Sequence, residues 1–308
     1  MPRFDVTLAG ELNLDLILYG LPECLPPERE LLAREMTLTL GGSSTIVAHN
    51  LAALGCQVGF ISLIGADDLG QIAMNQLRGN GVDVSKVKVA RGAQTGITIV
   101  LQRDDWRNML THAGTIAELS YDDLDLDYLA DSKHFHLSSF YLQRALQPKV
   151  AQLFRELKAR GLTVSMDTND DPDDAWCGMT PLFPYLDVFL PNAREAKRIA
   201  GLDDLHAAVE DLAKKVPLVV VKLGEDGALA QKGREQFRAD AVPVRPTDAV
   251  GAGDSFDAGF LSQYVRGASL KDCLRAGNLA GALSTTRAGG VDAFRDQAYR
   301  EGFFRTHI

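Results

Sequence analysis

At 308 residues, 46% hydrophobic and 24% charged, with 28 Gly and 12 Pro, the chain has the composition of a globular protein, which excludes disordered, collagen-like and low-complexity readings. A net charge of −9, with no basic cluster larger than Lys214-Lys215, argues against a nucleic-acid partner and leaves room for a small phosphorylated ligand at a local site. Cys24, Cys56, Cys177 and Cys273 form no CxxC pair, so neither a zinc site nor a disulfide scaffold is indicated. Asp5, Glu11 and Asp15 interrupt the first apolar stretch. Neither a signal peptide nor a membrane span is therefore expected, and the expected location is cytoplasmic.

In chain order, Phe4–Ala9 reads as a buried strand, and Gly10-Glu11-Leu12-Asn13-Leu14-Asp15 follows it as an acid-bearing loop. Leu31–Leu40 alternates apolar and polar residues near its end. Gly41-Gly42 then precedes a helix over Ser43–Leu54, with Ser at its start and Gly55 just past its end. Val58–Ile64 is a second strand. Thr95–Gln102 and Arg107–Ala113 flank the polar tip Arg103-Asp104-Asp105 and read as a hairpin. Two readings of these irregular stretches are open: a small second sheet, or edge strands of the main one. Tyr121–Asp131 is acidic like a calcium loop but lacks the required Gly, and reads as an acidic helix start with a solvated face. Helical patterns at Pro148–Arg160, Ala193–Ala200 and Leu205–Lys215 alternate with strands at Leu162–Met166, Val188–Leu190 and Leu218–Lys222. Such alternation implies parallel strands with right-handed crossovers, hence a layered α/β sheet.

The most specific chemical feature is Asp248–Phe260, in which Gly251, Ala252 and Gly253 lead into a helix carrying Asp254 in its first turn. Glycines let the backbone turn tightly and present successive N–H groups to an anion at a helix N-terminus. A carboxylate beside that place repels phosphate, and makes sense as a base taking a proton from a hydroxyl that attacks phosphorus. The alternative is an acidic cap after a glycine-rich loop. No GxxxxGK[ST] motif exists, and Phe256 stands where a dinucleotide fingerprint needs its third Gly. Asn192 and Glu195, three apart after a strand, suit either a hydrated magnesium ion or a capping box. Lys222, Gly224 and Gly227 lie at the end of a buried strand, where ligands gather in parallel sheets, or in an ordinary hairpin. Asn13, Asp15, Gly41 and Gly42 place amide, carboxylate and bare backbone at strand ends, an arrangement suited to a polyol; Asp15 as a surface turn residue is the competing reading.

In this order and at these spacings, the features resemble the PfkB/ribokinase family of carbohydrate kinases from Gly10 to about Gly290. The resemblance implies a ribokinase-like α/β three-layer sandwich: a mostly parallel central sheet and a small β-sheet lid, in one domain over 1–308 with a discontinuous lid from about 12–40 and 95–113. It implies phosphoryl transfer from ATP to a sugar hydroxyl, with Asp254 as base and Gly251–Gly253 as anion hole. It further implies magnesium and phosphates organised by Asn192 and Glu195, nucleotide contacts from Lys222, Gly224 and Gly227, and an adenine pocket bordered by Asn278. Sugar contacts fall to Asn13, Asp15, Gly41 and Gly42, a potassium site to Asp248 with the loop 287–291, and a homodimer to the lids. Where sugar kinases of the family commonly carry Asn, four residues after the glycine pair, this chain has Ile46, and the nearest Asn is Asn50. 2-Keto-3-deoxygluconate kinases place an Arg shortly after a strand-end Asp-x-Asn; here Asp167-Thr168-Asn169-Asp170-Asp171-Pro172 offers acids, and Arg103 and Arg107 are the cations of the hairpin. A nucleoside kinase of the same superfamily and an inactive nucleotide-binding regulator are the alternatives.

Overall fold

Each apolar run bounded by charge or glycine becomes a strand, and the computed structural model describes residues 2–22, 24, 26–103 and 106–307. The strands are β1 (Phe4–Ala9), β2 (Asn13–Tyr19), β3 (Glu35–Gly41), β4 (Val58–Gly65), β5 (Asp83–Ala90), β6 (Ile97–Arg103), β7 (Trp106–His112), β8 (Ser132–Leu137), β9 (Thr163–Met166), β10 (Val188–Phe189), β11 (Leu218–Lys222), β12 (Ala228–Lys232) and β13 (Glu235–Ala239). The helices are α1 (Ser43–Ala53), α2 (Asp68–Gly79), α3 (Leu126–Ala130), α4 (Val150–Ala159), α5 (Ala193–Ala200), α6 (Leu205–Ala213), α7 (Ala252–Tyr264), α8 (Leu270–Thr285), α9 (Asp292–Arg295) and α10 (Gln297–His307).

A nine-stranded sheet runs in the order β13-β12-β11-β10-β9-β8-β1-β4-β5, with every pair parallel except those of β12, which is antiparallel to both β11 and β13. Alternation along β11 shows why both faces must be covered. Val219 and Val221 enter one core with Phe154 of α4 and Leu212 of α6. Leu218 and Val220 enter the other, with Phe260 of α7 and Leu274 of α8. Strands buried on both faces are what parallel sheets require.

The irregular stretches form a separate four-stranded sheet, β3-β2-β6-β7, so the edge-strand reading is not realised. Asp15, expected on a loop, lies inside β2 and pairs with Thr39 of β3 and Thr98 of β6. The tip Asp104-Asp105 lies outside the described residues. Strand β8 escapes the apolar pattern because His134 and His136 occupy buried positions. Each bonds Ser165 Oγ, at 2.6 and 2.7 Å, and burial holds both imidazoles neutral, His134 at about 3. The acidic stretch at 121–131 becomes a 3-10 turn and α3, with Asp123 and Asp125 paired to Lys88 and Lys86 on a solvated face. No helix among the described residues is long and apolar enough to cross a membrane.

Candidate active site

A cleft of about 790 Å³ opens between the small sheet and the C-terminal ends of the central strands, lined among others by Asp15, Asn169, Asn192, Lys222, Gly253 and Asp254. This is where the carboxyl ends of parallel strands gather ligands.

The floor of the cleft is the turn entering α7. Gly251 has φ +71°, and a Cβ there would lie 2.7 Å from Gly290 Cα, so both conformation and packing require glycine. No side chain caps α7. Ala252 N–H reaches Ala249 O at 3.4 Å, and the other N–H groups of the first turn are open to an acceptor in the cleft. At Gly253 a Cβ would meet nothing nearer than Lys222 Nζ at 3.7 Å, so only a ligand pressed against the backbone would exclude a side chain there.

Asp254 is 7% exposed and accepts a hydrogen bond from Asn169 Nδ2 at 3.1 Å. Asn169 adopts φ +54°, a conformation Asn tolerates better than most residues. Its Oδ1 accepts the Ser139 N–H at 2.8 Å, which turns its amide toward Asp254. Burial raises Asp254 to about 6, as does the charge of Asp167, while Lys222 opposes the rise. A carboxyl tuned close to neutrality suits general-base work.

Asn192 and Glu195 do form a capping box at the start of α5. Asn192 N and Nδ2 donate to Glu195 at 2.8 and 2.6 Å, and Glu195 N donates to Asn192 Oδ1 at 3.0 Å. The same residues line the cleft, so serving as a cap does not exclude them from the site. Burial and then Asp167 push Glu195 up to about 8, an unfavourable setting for a carboxylate with no cation nearby except Lys222. Lys222 and Gly224 also line the cleft, although the Lys222 ammonium is turned into buried carboxylates. Gly227 sits in the β11–β12 hairpin turn, away from the cleft lining.

On the small sheet, Asn13 and Asp15 point inward from alternate positions of β2. Asp15 lies against Gly41 and Asn13 against Gly42 so closely that a Cβ on either glycine would collide with them. That is the local reason for the glycine pair. Asn13 Oδ1 is buried without a partner. Asp15, 4% exposed, accepts no hydrogen bond from the described residues; burial, then Asp254 and Asp248, raises it to about 7. Two acceptors without donors are what hydroxyl groups of a polyol would satisfy.

Other expected residues lie elsewhere. Asn278 Nδ2 is committed to the carbonyls of Ala239 and Asp240, tying α8 to β13 outside the cleft lining. Asn50 bonds Ser255 Oγ and Gly290 O and staples α1 to α7, so it does not stand in for an Asn at Ile46. Ile46 packs against the Gly251 and Gly290 backbone. Asp171, near the Asp-x-Asn, accepts N–H groups of its own loop from Asp173, Ala175 and Trp176. Sequence reasoning did not assign Glu11, which accepts from Ser44 and Ser139. It also gave Asn169 no role. The strand-end Asp167-x-Asn169 was the available signal, but its orientation toward Asp254 is a long-range fact.

A doubly covered sheet, a small second sheet and a glycine turn beneath a buried carboxyl define a ribokinase-like α/β scaffold. The model of the pfkB family carbohydrate kinases matches residues 3–296, and the chain belongs to that family. It is 30% identical over 291 residues to an ATP-dependent ribose-1-phosphate kinase of Halopiger xanaduensis, covering 94% of each chain. It is 29% identical over 270 residues to a 2-dehydro-3-deoxygluconokinase of Bacillus subtilis, covering 82% of each. Among solved structures, a putative ribokinase II of E. coli superposes with a TM-score of 0.88 at 24% identity, covering 98% of this chain and 99% of that one. That protein has also been solved in complex with ATP and Mg2+. The chain is accordingly a carbohydrate kinase, a phosphotransferase, and ATP and Mg2+ are consistent with its family.

Proposed function

We propose that the protein transfers the γ-phosphoryl group of ATP to a hydroxyl of an anionic sugar. The observation that carries the reading is Asp254, oriented by Asn169 beside the uncapped α7 N-terminus in the cleft. Asp254 takes the hydroxyl proton as the O–P bond forms and the bond to the β-phosphate oxygen breaks, and ADP leaves. N–H groups of Gly251–Gly253 meet the charge developing on the transferred group. Asn13 and Asp15 hold the sugar, and the small sheet acts as a lid that excludes water. ATP consumption measured over sugars, sugar acids, sugar phosphates and nucleosides tests the reading; turnover confined to nucleosides would replace it with the nucleoside-kinase alternative.

The anionic character of the sugar rests on Arg107. It lies on the inner face of β7 with Met109 and Thr111, lines the cleft, and pairs with no carboxylate among the described residues. Arg103 belongs to the opposite face by strand alternation. The two curated relatives above are named for a sugar phosphate and a sugar acid. Arg107→Met should raise KM for the anionic substrate by roughly tenfold to a hundredfold, the worth of a charge-assisted hydrogen bond, with kcat less affected. An unchanged KM would remove Arg107 from the site.

Magnesium fits the oxygen donors of Asn192 and Glu195, since this ion keeps several waters and needs few protein ligands. When bound, it neutralises phosphate charge. Glu195→Gln should raise the magnesium concentration for half-maximal rate while sugar KM changes little; a change confined to sugar KM would place Glu195 on the other side of the site. Potassium fits less well. Both oxygens of Asp248 are engaged, by Val250 N at 2.8 Å, Gly289 N at 3.0 Å and Tyr19 OH at 3.0 Å, and we assign this carboxylate to holding the anion-hole loop.

The outer face of the lid carries Leu16, Leu18, Met36, Leu38, Ile99 and Leu110 in register across four strands. Met36 is 63% and Leu110 58% exposed. An apolar sheet face of this kind is suited to pairing with a second lid, and we propose a homodimer on this face. Light scattering at micromolar concentration should give twice the chain mass; a monomer would refute the dimer alone.

A further inference from the structure

Lys222 ends β11, yet its ammonium does not project into open cleft. Nζ lies 2.6 Å from Asp167 Oδ2 and 3.2–3.3 Å from the two Asp257 oxygens, with 10% of the side chain exposed. It lies directly under Gly253, the residue before Asp254. One of the two carboxylates it joins orders the residue that bonds Asp254, and the other lies one turn along the same helix. Asp167 Oδ1 accepts the Asn169 N–H at 3.2 Å, fixing the turn that aims Asn169 at Asp254. Asp257 follows Asp254 by three residues on α7, on the same face.

The charges facing Asp254 are otherwise acidic: Asp15 from β2, Asp167 after β9, Glu195 on α5 and Asp257 on α7. Glu11 is engaged by Ser44 and Ser139, and Asp170 pairs outward with Arg194. Among the described residues lining the cleft, the cations are Lys222 and the lid's Arg107. A buried carboxyl among four others keeps its proton at neutral pH unless a cation opposes them. Such a carboxyl is an acid where the reaction needs a base.

We propose that Lys222 is a positioning residue for phosphoryl transfer, its buried ammonium keeping Asp254 ionised and tying the Asp167–Asn169 turn to α7. The proposal rests on Asp254 being the base, and it departs from a direct nucleotide contact by Lys222. A buried opposite charge at close range lowers a carboxyl by about one to three pH units. Its removal also leaves Asp167 and Asp257 facing each other without a counter-charge, which buried sites tolerate poorly.

The test is the pH dependence of kcat/KM between pH 5 and 9. In Lys222→Met the acid limb should move up by at least about one pH unit, giving a loss of at least about fivefold at pH 6 that approaches tenfold at pH 5 and shrinks toward pH 9. Lys222→Arg should keep the limb in place. Lys222→Gln keeps a hydrogen-bond donor between Asp167 and Asp257 but lacks the charge, and should show the same displacement. If Lys222→Met does not fold, Lys222→Gln decides. A limb that stays put in a folded variant lacking the ammonium overturns the proposal. Asp254→Asn, run alongside, separates the failures. Full turnover in that variant would remove the base itself, whereas its loss together with an unmoved limb would remove Lys222 alone.

Discussion

Replacing Asp254 by Asn should lower kcat by ~10²–10⁴, the usual share of a general base, and leave ATP binding near normal. The substitution is close to isosteric, and the Asn169 amide can still meet the side-chain oxygen of the new residue. Steady-state kinetics and calorimetric titration with ATP check both halves. Because burial and Asp167 place Asp254 at about 6 in the free enzyme, kcat/KM of the unmodified protein should fall as pH drops through that region. Full turnover in the variant with every active substrate would remove Asp254 from its role.

Asp15→Asn should do two opposite things. Sugar KM should rise roughly tenfold to a hundredfold, the cost of losing hydrogen bonds to a charged acceptor, and kcat should fall because the lid closes poorly. Stability at alkaline pH should increase. Holding a carboxyl that ordinarily ionises at 3.8 up at about 7 costs as much as about 4 kcal/mol once it is ionised, and the amide removes that cost. The folded state binds this proton more tightly than the unfolded chain does. Stability from it is therefore full below pH 4 and is lost as pH rises through 7; Glu195, at about 8, acts in the same direction. The buried histidines act oppositely. His49 and His134 stay neutral down to about 4 and 3, whereas unfolded imidazole protonates near 6.5, so stability is lost as pH falls below that value. In Asp15→Asn the part of the fall in stability that Asp15 causes between about pH 4 and pH 7 should disappear, leaving the variant the more stable of the two above pH 7. Melting profiles from pH 4 to 9 check this; a difference between the two proteins that stays constant from pH 4 to 8 would show that Asp15 is not held protonated.

The extent to which the molecule was legible follows from how local each interaction is. The turn at Gly251–Gly253 and the Asp254 that follows it were legible because their conformation needs only neighbouring backbone. A left-handed glycine, an uncapped helix start and a carboxylate in its first turn are specified within a few residues. The Asn192–Glu195 box was legible for the same reason, and the alternating apolar runs announced a covered parallel sheet. The acidic loop expected around Asp15 was instead strand β2, because its alternation of Asn13, Asp15 and Ile17 with leucines makes sense only once β3 and β6 flank it. Strand β8 was hidden by histidines whose partners, Thr163 and Ser165, lie about thirty residues away in sequence.

The sequence was sufficient for the layered α/β class, and it marked the glycine turn at 251–253 and the carboxyl in the first turn of α7, all of which depend on short-range chemistry. Tertiary structure alone decided what those groups experience. It set Asn169 against Asp254, buried Lys222 between Asp167 and Asp257, left Asn13 and Asp15 as acceptors without donors, and turned Asn50 and Asn278 into staples. Protonation and hydrogen-bond partnership depend on burial and on charges brought from distant segments, and neither is written in local order.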